Sequence, residues 1–383
     1  MKPFVQAIRR CGSSLAMVLF RAVPVDQKKV VFSSYFGTAL NDNPWAIFEE
    51  MRAQHPEYRY VWLLRKPTAV KGASAVRPGT MKGLYHLATA KCWVDNSRKR
   101  SWVRKRRSQF YVQTWHGNIA FKRVEKDVAD KLPALYVKAA KNDSKMADVF
   151  ISGSRWLTES YRRSYWYDGF ILESGLPRSD VFYKDPAPVC RKVDECFGES
   201  SDVHFCLYAP TFRSDDSVDC YLKDYGMLIE ALTAKFGGEW KIFVRLHPRI
   251  ANKSSFLEYG ESVINASEYP DINDLIIRSD VLMTDYSSCM FDAMEAGKKV
   301  FLYTPDMEAY MEDRGCEFTL EELPFSKCRD QNGIGDLVKG FDEKTYRQKV
   351  QIFMEKCGIC NKPDSARTVA SYIFEQMKKH HPG

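Results

Sequence analysis

Nothing in this chain approaches the roughly 18 consecutive apolar residues that span a bilayer, so a polytopic membrane protein is excluded. No internal repeat and no low-complexity tract is present. With 45% hydrophobic and 28% charged residues, disordered, collagen-like and fibrous chains are excluded as well. No Asp-x-Asp pair occurs, so a metal-bridged diphosphate is not indicated, and neither a metal nor another resident cofactor is expected. Cys357 and Cys360 form a CxxC, but no second pair or paired histidines complete a zinc ligand set. The other cysteines of the 11 are scattered singly, and an odd number without regular spacing reads as reduced and cytosolic. Nucleic-acid-binding motifs are missing too, so nucleic acid is not an expected partner.

What is present fits a two-domain enzyme. The 383 residues are long enough for two full cores. A net charge of +8 favours an anionic partner without choosing among nucleic acid, nucleotides and lipid headgroups. Residues 1–24 begin with Lys2, Arg9 and Arg10 and continue through an apolar stretch from Leu15 to Phe20. No small-x-small cleavage site follows, which weighs against a signal peptide. A helix here either packs on the first domain or lies on a membrane surface through Phe4, Val5, Ile8, Leu15, Val18 and Leu19. A second basic feature is Arg98–Arg107, where Arg98, Lys99, Arg100, Arg104, Lys105, Arg106 and Arg107 surround Trp102. This reads as a patch for an anionic membrane, each charge there contributing about 1 kcal/mol, or as a solvated charged face.

Short β-branched and aromatic runs alternate with helical patterns. The runs are 29–33, 58–64, 92–96, 110–114, 149–152 and 170–173, then 205–208, 242–246, 262–265, 281–284 and 300–303. Between the two series lie Pro186–Pro188 and a polar stretch near 198–202. A helix is expected over Tyr221–Phe236, stopped by Gly237-Gly238. Such alternation predicts parallel sheets covered on both faces. The expected fold is α/β, with two Rossmann-like domains over 25–188 and 189–360, a cleft between them, and a helix over 361–383 packing back on the first.

In such sheets ligands bind beyond the carboxyl ends of the strands. Four informative segments sit there: Gln113–Gly117, Ala209–Arg213, Arg245–Pro248 and Thr284–Ser288. Ser287 or Ser288 is expected to cap the next helix, whose free N–H groups would hold a phosphate. Arg213 would add a charge-assisted contact and His247 a hydrogen bond to a diphosphate. Thr211, Asp285 and Gly117 would support them. His116, with an ordinary pKa of about 6.5, suits a base that takes a proton from an attacking hydroxyl. Structural alternatives stand beside each: a plain helix cap at Ser287, ion pairs at Asp285 and Arg213, and a backbone-bonded histidine at 116.

At these residues the sequence resembles the CDP-glycerol glycerophosphotransferase family of teichoic acid primases and polymerases. The resemblance runs in order through Val94–Ser97, Gln113–Gly117, Ser152–Ser154, Gly175–Arg178, Tyr208–Arg213, Arg245–Pro248, Thr284–Ser288 with Asp292, and Tyr303–Asp306, covering roughly residues 90–315. It implies a GT-B fold, a CDP-activated polyol donor, a lipid-linked or polymer acceptor, and work as a peripheral protein at the cytoplasmic face of the cell membrane. It implies catalytic roles for His116 and His247 and donor phosphate binding by Arg213, Ser287 and Ser288. The sequence departs from the family at Asn118-Ile119, where Thr-Pro is usual, and at Ser179, where Asn is usual. Glycerol phosphate transfer from CDP-glycerol, in teichoic acid or capsule polymer synthesis, is the implied reaction. A CDP-ribitol-dependent transferase and a nucleotide-sugar glycosyltransferase of the same fold remain alternatives.

Overall fold

The computed structural model describes residues 12–213, 217–218, 221–222, 224–247, 250 and 257–379. Lys2, Phe4, Val5, Ile8, Arg9, Arg10 and Pro248 lie outside the described residues. The chain forms two compact units. The first comprises residues 1–118, 124–180 and 359–383, and the second 119–123 and 181–358.

The first unit is built on strands β1 (Asp26–Ser33), β2 (Arg59–Leu63), β3 (Ser74–Val76), β4 (Ala90–Asp95), β5 (Phe110–Gln113), β6 (Val149–Ser152) and β7 (Phe170–Glu173). Their order is β3-β2-β1-β4-β5-β6-β7, all parallel. Alternation within β1 explains why its sequence is apolar throughout. Val30 and Phe32 enter one core cluster and Val31 the other, on the opposite face. Both faces are therefore covered, as parallel sheets require. One cover is the pair of helices Asp42–Gln54 and Ser365–Lys379, which place Ile47, Phe48, Met51, Val369, Ile373 and Phe374 in the same cluster. Asp180 fixes the start of the last helix, its carboxylate accepting from Ser365 N at 3.0 Å and Ala366 N at 2.9 Å.

The second unit carries β8 (His204–Tyr208), β9 (Trp240–Val244), β10 (Val263–Asn265), β11 (Val281–Thr284), β12 (Lys299–Tyr303) and β13 (Ser326–Cys328), in the parallel order β10-β9-β8-β11-β12-β13. In both sheets the strand order reverses once, between β1 and β4 and between β8 and β11. That crevice is where such sheets take ligands.

Three sequence expectations change. The chain passes from the first unit to the second at 180/181, and Pro186 lies at the start of the helix Ala187–Phe197, well inside the second. The helix expected from Tyr221 starts at Gly226. Tyr221 and Leu222 instead bond the sheet end, through Tyr221 Oη to Thr211 O at 3.1 Å and Leu222 N to Tyr208 Oη at 2.8 Å. Asp224 then accepts from Gly226 N at 2.9 Å and starts the helix. The third change concerns the basic run and is described with the site.

Candidate active site

In the first unit, His116 follows β5 and meets the ends of β1 and β4. Its Nδ1 lies 2.9 Å from the backbone oxygen of Asn96. A carbonyl only accepts, so Nδ1 carries the proton and Nε2 keeps its lone pair. Asn96 is itself held, its Oδ1 accepting from Tyr35 N at 2.8 Å and its Nδ2 donating to Ser34 Oγ at 3.1 Å. The imidazole stacks on Trp115 at a centroid distance of 4.7 Å and lies 5.3 Å from the Tyr35 ring. Burial lowers the His116 pKa below its ordinary value. Asp42 opposes that shift and Arg178 reinforces it. Gly117 follows at φ +104°, in the region that favours glycine.

Asp42 is the feature that sequence reading missed. It is buried, at φ 65°, at the first turn of the helix Asp42–Gln54. Tyr35 Oη donates to its Oδ2 at 2.8 Å, and Arg178 Nε lies 3.4 Å from the same oxygen. Asn43 ties two more pieces in, accepting from Arg178 N at 3.0 Å and donating to Trp115 O at 3.2 Å. The available signal was topological, since Tyr35 and Asp42 follow β1 at the switch point, although no motif marks them.

In the second unit, the loops after β8, β11 and β12 meet at Arg213. Its Nη1 donates to Thr211 O at 2.6 Å and Asp285 Oδ2 at 2.9 Å. Its Nε and Nη2 make a bidentate pair with Asp306 at 2.6 and 2.9 Å. The guanidinium lies over Tyr286 and Tyr310, which stack at 3.9 Å. Asp285 also accepts from Thr211 N at 2.8 Å and Tyr286 N at 2.6 Å. Asp285 therefore joins the loops after β8 and β11 into one rigid piece, and Arg213 adds the loop after β12. Thr211 Oγ1 is buried with no hydrogen-bond partner among the described residues.

Ser288 stands at the N-cap of the helix Cys289–Glu295 but makes no side-chain capping bond. The expected cap by Ser288 is therefore absent. The reason is local: Ser288 already has helical backbone angles (φ −63°, ψ −10°), whereas a capping residue is extended. Ser287 is half-buried and Ser288 exposed. His247 is exposed too, its ring 4.4 Å from that of Phe212 beside the Arg213 loop. Asp285, Thr211 and Arg213 are thus directly joined, with His247 linked to them through Phe212.

The run 98–107 is not one solvent-facing basic patch. Arg98 is buried between Glu125 at 2.9 Å and Asp143 at 3.2 Å. Lys99 is buried against Asp95, and Lys105 bonds Asp148. Arg106 reaches Val23 O and Phe20 O, at 2.8 and 2.5 Å. Trp102 packs against the core cluster on its side of the sheet. Arg104 is exposed and bonds Ser101 O at 2.7 Å and Asn142 Oδ1 at 2.9 Å. Arg100 and Arg107 are exposed. The cations are dispersed because Arg98 and Lys105 pair with carboxylates distant in sequence, Lys99 with the nearby Asp95, and Arg106 with backbone oxygens.

The chain is 30% identical to the teichoic acid poly(glycerol phosphate) polymerase of Bacillus spizizenii, over 93% of this chain and 95% of that protein. It is 29% identical to the Bacillus subtilis protein of the same name, over 96% of this chain. It spans about half the length of that second relative, 51%. A histidine-to-asparagine variant of the wall teichoic acid polymerase TagF, soaked with CDPG, superposes with a TM-score of 0.85 at 27% identity, covering 98% of each chain. The model of the CDP-glycerol:poly(glycerophosphate) glycerophosphotransferases matches residues 15–375, and the chain belongs to that family.

Proposed function

We propose that this chain transfers glycerol phosphate from CDP-glycerol to a hydroxyl of a lipid-linked or polymeric teichoic acid acceptor. His116 Nε2 takes the proton of the acceptor hydroxyl. The freed oxygen bonds to the β-phosphorus, the bond from that phosphorus to the bridging oxygen breaks, and CMP leaves with the electron pair. His247, Ser287 and Ser288 hold the diphosphate and stabilise its developing charge, commonly the dominant contribution in phosphoryl transfer. Arg213, already tied to two carboxylates, acts mainly by fixing the loops that carry them. Thr211 offers its buried hydroxyl to the donor, and Gly117 gives the base loop its turn. The reading includes no metal or other resident cofactor.

The observation that carries the proposal is the His116 imidazole itself: one nitrogen committed to a carbonyl, the other free to accept, and a pKa lowered by burial. Such a histidine is neutral at pH 7, ready to act as a base. As pH falls through that lowered value, the ring gains a proton and transfer stops. The acid limb of the rate profile is therefore expected below the ordinary pKa of about 6.5.

The helix over residues 12–19 supports a peripheral membrane site at the cytoplasmic face. Leu15, Val18 and Leu19 are 61%, 57% and 64% exposed, while Ala16 and Met17 are buried. Three exposed apolar side chains at i, i+3 and i+4, followed by Arg21, suit the headgroup region of an anionic leaflet. Among the described residues no helix is long and apolar enough to cross a membrane.

The deciding experiment incubates the chain with CDP-glycerol or CDP-ribitol and a lipid-linked disaccharide, following CMP and lipid product. CMP release from CDP-glycerol is expected to fall about 10²–10⁴-fold in His116→Ala, with an unchanged melting temperature. Near-normal turnover in that variant removes the base assignment, and preference for CDP-ribitol changes the donor.

A further inference from the structure

The partner of His116 Nδ1 is the backbone oxygen of Asn96, which fixes the tautomer but carries no net charge. Once Nε2 takes a proton the ring is a cation, and burial disfavours it. The leading charges around the ring all belong to the first unit. They are Asp42 at the start of the helix Asp42–Gln54, Arg178 in the 3-10 turn Pro177–Tyr183, and Glu125 in the 3-10 turn Glu125–Val128. Glu125 is already matched by Arg98 at 2.9 Å in a sealed interior. Asp42 acts on the ring most strongly of the three and favours the cation, while Arg178 opposes it.

Asp42 is tied to the imidazole by two routes within that unit. Tyr35 donates from Oη to Asp42 Oδ2 at 2.8 Å, and its ring lies 5.3 Å from that of His116. Tyr35 N also donates to the side chain of Asn96, the residue whose backbone holds Nδ1. On the other side Asn43 donates to Trp115 O at 3.2 Å, and His116 stacks on Trp115. The backbone here is strained. Tyr35, Phe36, Asp42 and Trp115 have φ of 45°, 57°, 65° and 52°, four of the six non-glycine residues with positive φ among those described. Such angles persist where the surroundings over-determine them, and they gather at functional sites.

The backbone does not require the charge. Asn tolerates a positive φ as Asp does, and its oxygen could accept from Asn43 N, as Asp42 Oδ1 does at 2.7 Å. A carboxylate 6% exposed costs desolvation that an amide largely avoids. We infer that Asp42 is a positioning residue for the base: its buried carboxylate, tied to His116 through Tyr35 and Asn43, stabilises the imidazolium that forms as Nε2 takes the acceptor proton. Its role rests on His116 being the base proposed above. The proton passes from the acceptor oxygen to Nε2 and stays there, and Asp42 remains ionised throughout.

An NMR titration of the full chain with labelled histidine tests this, the His116 resonance being assigned by its loss in His116→Gln. Asp42→Asn keeps the shape and the backbone preference. It is expected to lower the His116 pKa further, by about 1, because a nearby opposite charge is lost. The kcat should fall about three- to tenfold, with the KM for CDP-glycerol changed by less than about twofold. Arg178→Gln should move the titration upward. A purely structural role predicts an upward shift in both, since loosening admits water and returns the ring toward about 6.5. Asp42→Asn/Arg178→Gln strands neither charge and guards against a single variant that does not fold. Its His116 pKa should still lie below that of the wild type, because the carboxylate acts more strongly than the guanidinium. An unchanged or raised His116 pKa in folded Asp42→Asn or in the double variant overturns the inference, and so does a lowered pKa with wild-type kcat. Near-normal turnover in His116→Ala, or none of CDP-glycerol by the wild type, removes the transfer reading instead, while the titration still decides whether Asp42 governs the charge of the ring.

Discussion

Arg98 and Arg213 occupy the same kind of setting, one in each unit. Each guanidinium is gripped by two carboxylates and lies over three aromatic rings: Trp115, Phe150 and Tyr165 for Arg98, Tyr221, Tyr286 and Tyr310 for Arg213. The difference is in how they are closed. Around Arg98 every partner is sealed, the side chains of Arg98, Glu125 and Asp143 being 2%, 2% and 0% exposed. Around Arg213 one wall is wet, because Asp306 is 28% exposed while Asp285 is 4% exposed. A sealed cluster only holds shape. Here it backs Trp115, on which His116 stacks. A cluster with one solvated carboxylate holds shape and keeps one charged wall open to water.

The largest expected effect breaks the sealed side. Arg98→Met strands Glu125 and Asp143 in a dry interior and should lower stability by about 3–5 kcal/mol, read from the shift in urea midpoint at constant slope. Next comes the open side. Asp306→Asn removes one charge from a partly hydrated pair and should cost about 1–3 kcal/mol. It should also tighten CMP binding, because Arg213 keeps a single neutralising carboxylate. A loss as large as that of Arg98→Met would mean that the two clusters are closed alike. Smallest is the exposed member of the basic run: Arg107→Ala should shift stability by less than about 0.5 kcal/mol, and a large effect would mean that the run acts as one surface after all.

Much of the sheet framework was legible because parallel strands buried on both faces read as continuous apolar runs. The two strands missed, Ser74–Val76 and Ser326–Cys328, are short edge strands with exposed positions, and they carry almost no such signal. The site segments were legible for a different reason: strand ends are where a Rossmann-like sheet meets ligand, so residue type and topology suffice to nominate His116 and Arg213. Pairing was not legible. Arg98 is 27 residues from Glu125 and 45 from Asp143, and nothing local distinguishes it from Arg100, two positions on. Asp42 was hidden for the same reason, as its partners Tyr35 and Arg178 converge only once the chain has folded. The Ser288 cap failed at a finer level, where backbone angles rather than residue identity decide.

The seating of the last helix constrains the order of synthesis. Residues 181–358 interrupt the first unit, and one face of its sheet is only partly covered, by Ile47, Phe48 and Met51, until Val369, Ile373 and Phe374 arrive. On the ribosome the interior unit therefore has all its elements in hand while the enclosing one, its strands long since made, still waits for a helix. The Asp180 carboxylate is then the latch that a growing chain closes last.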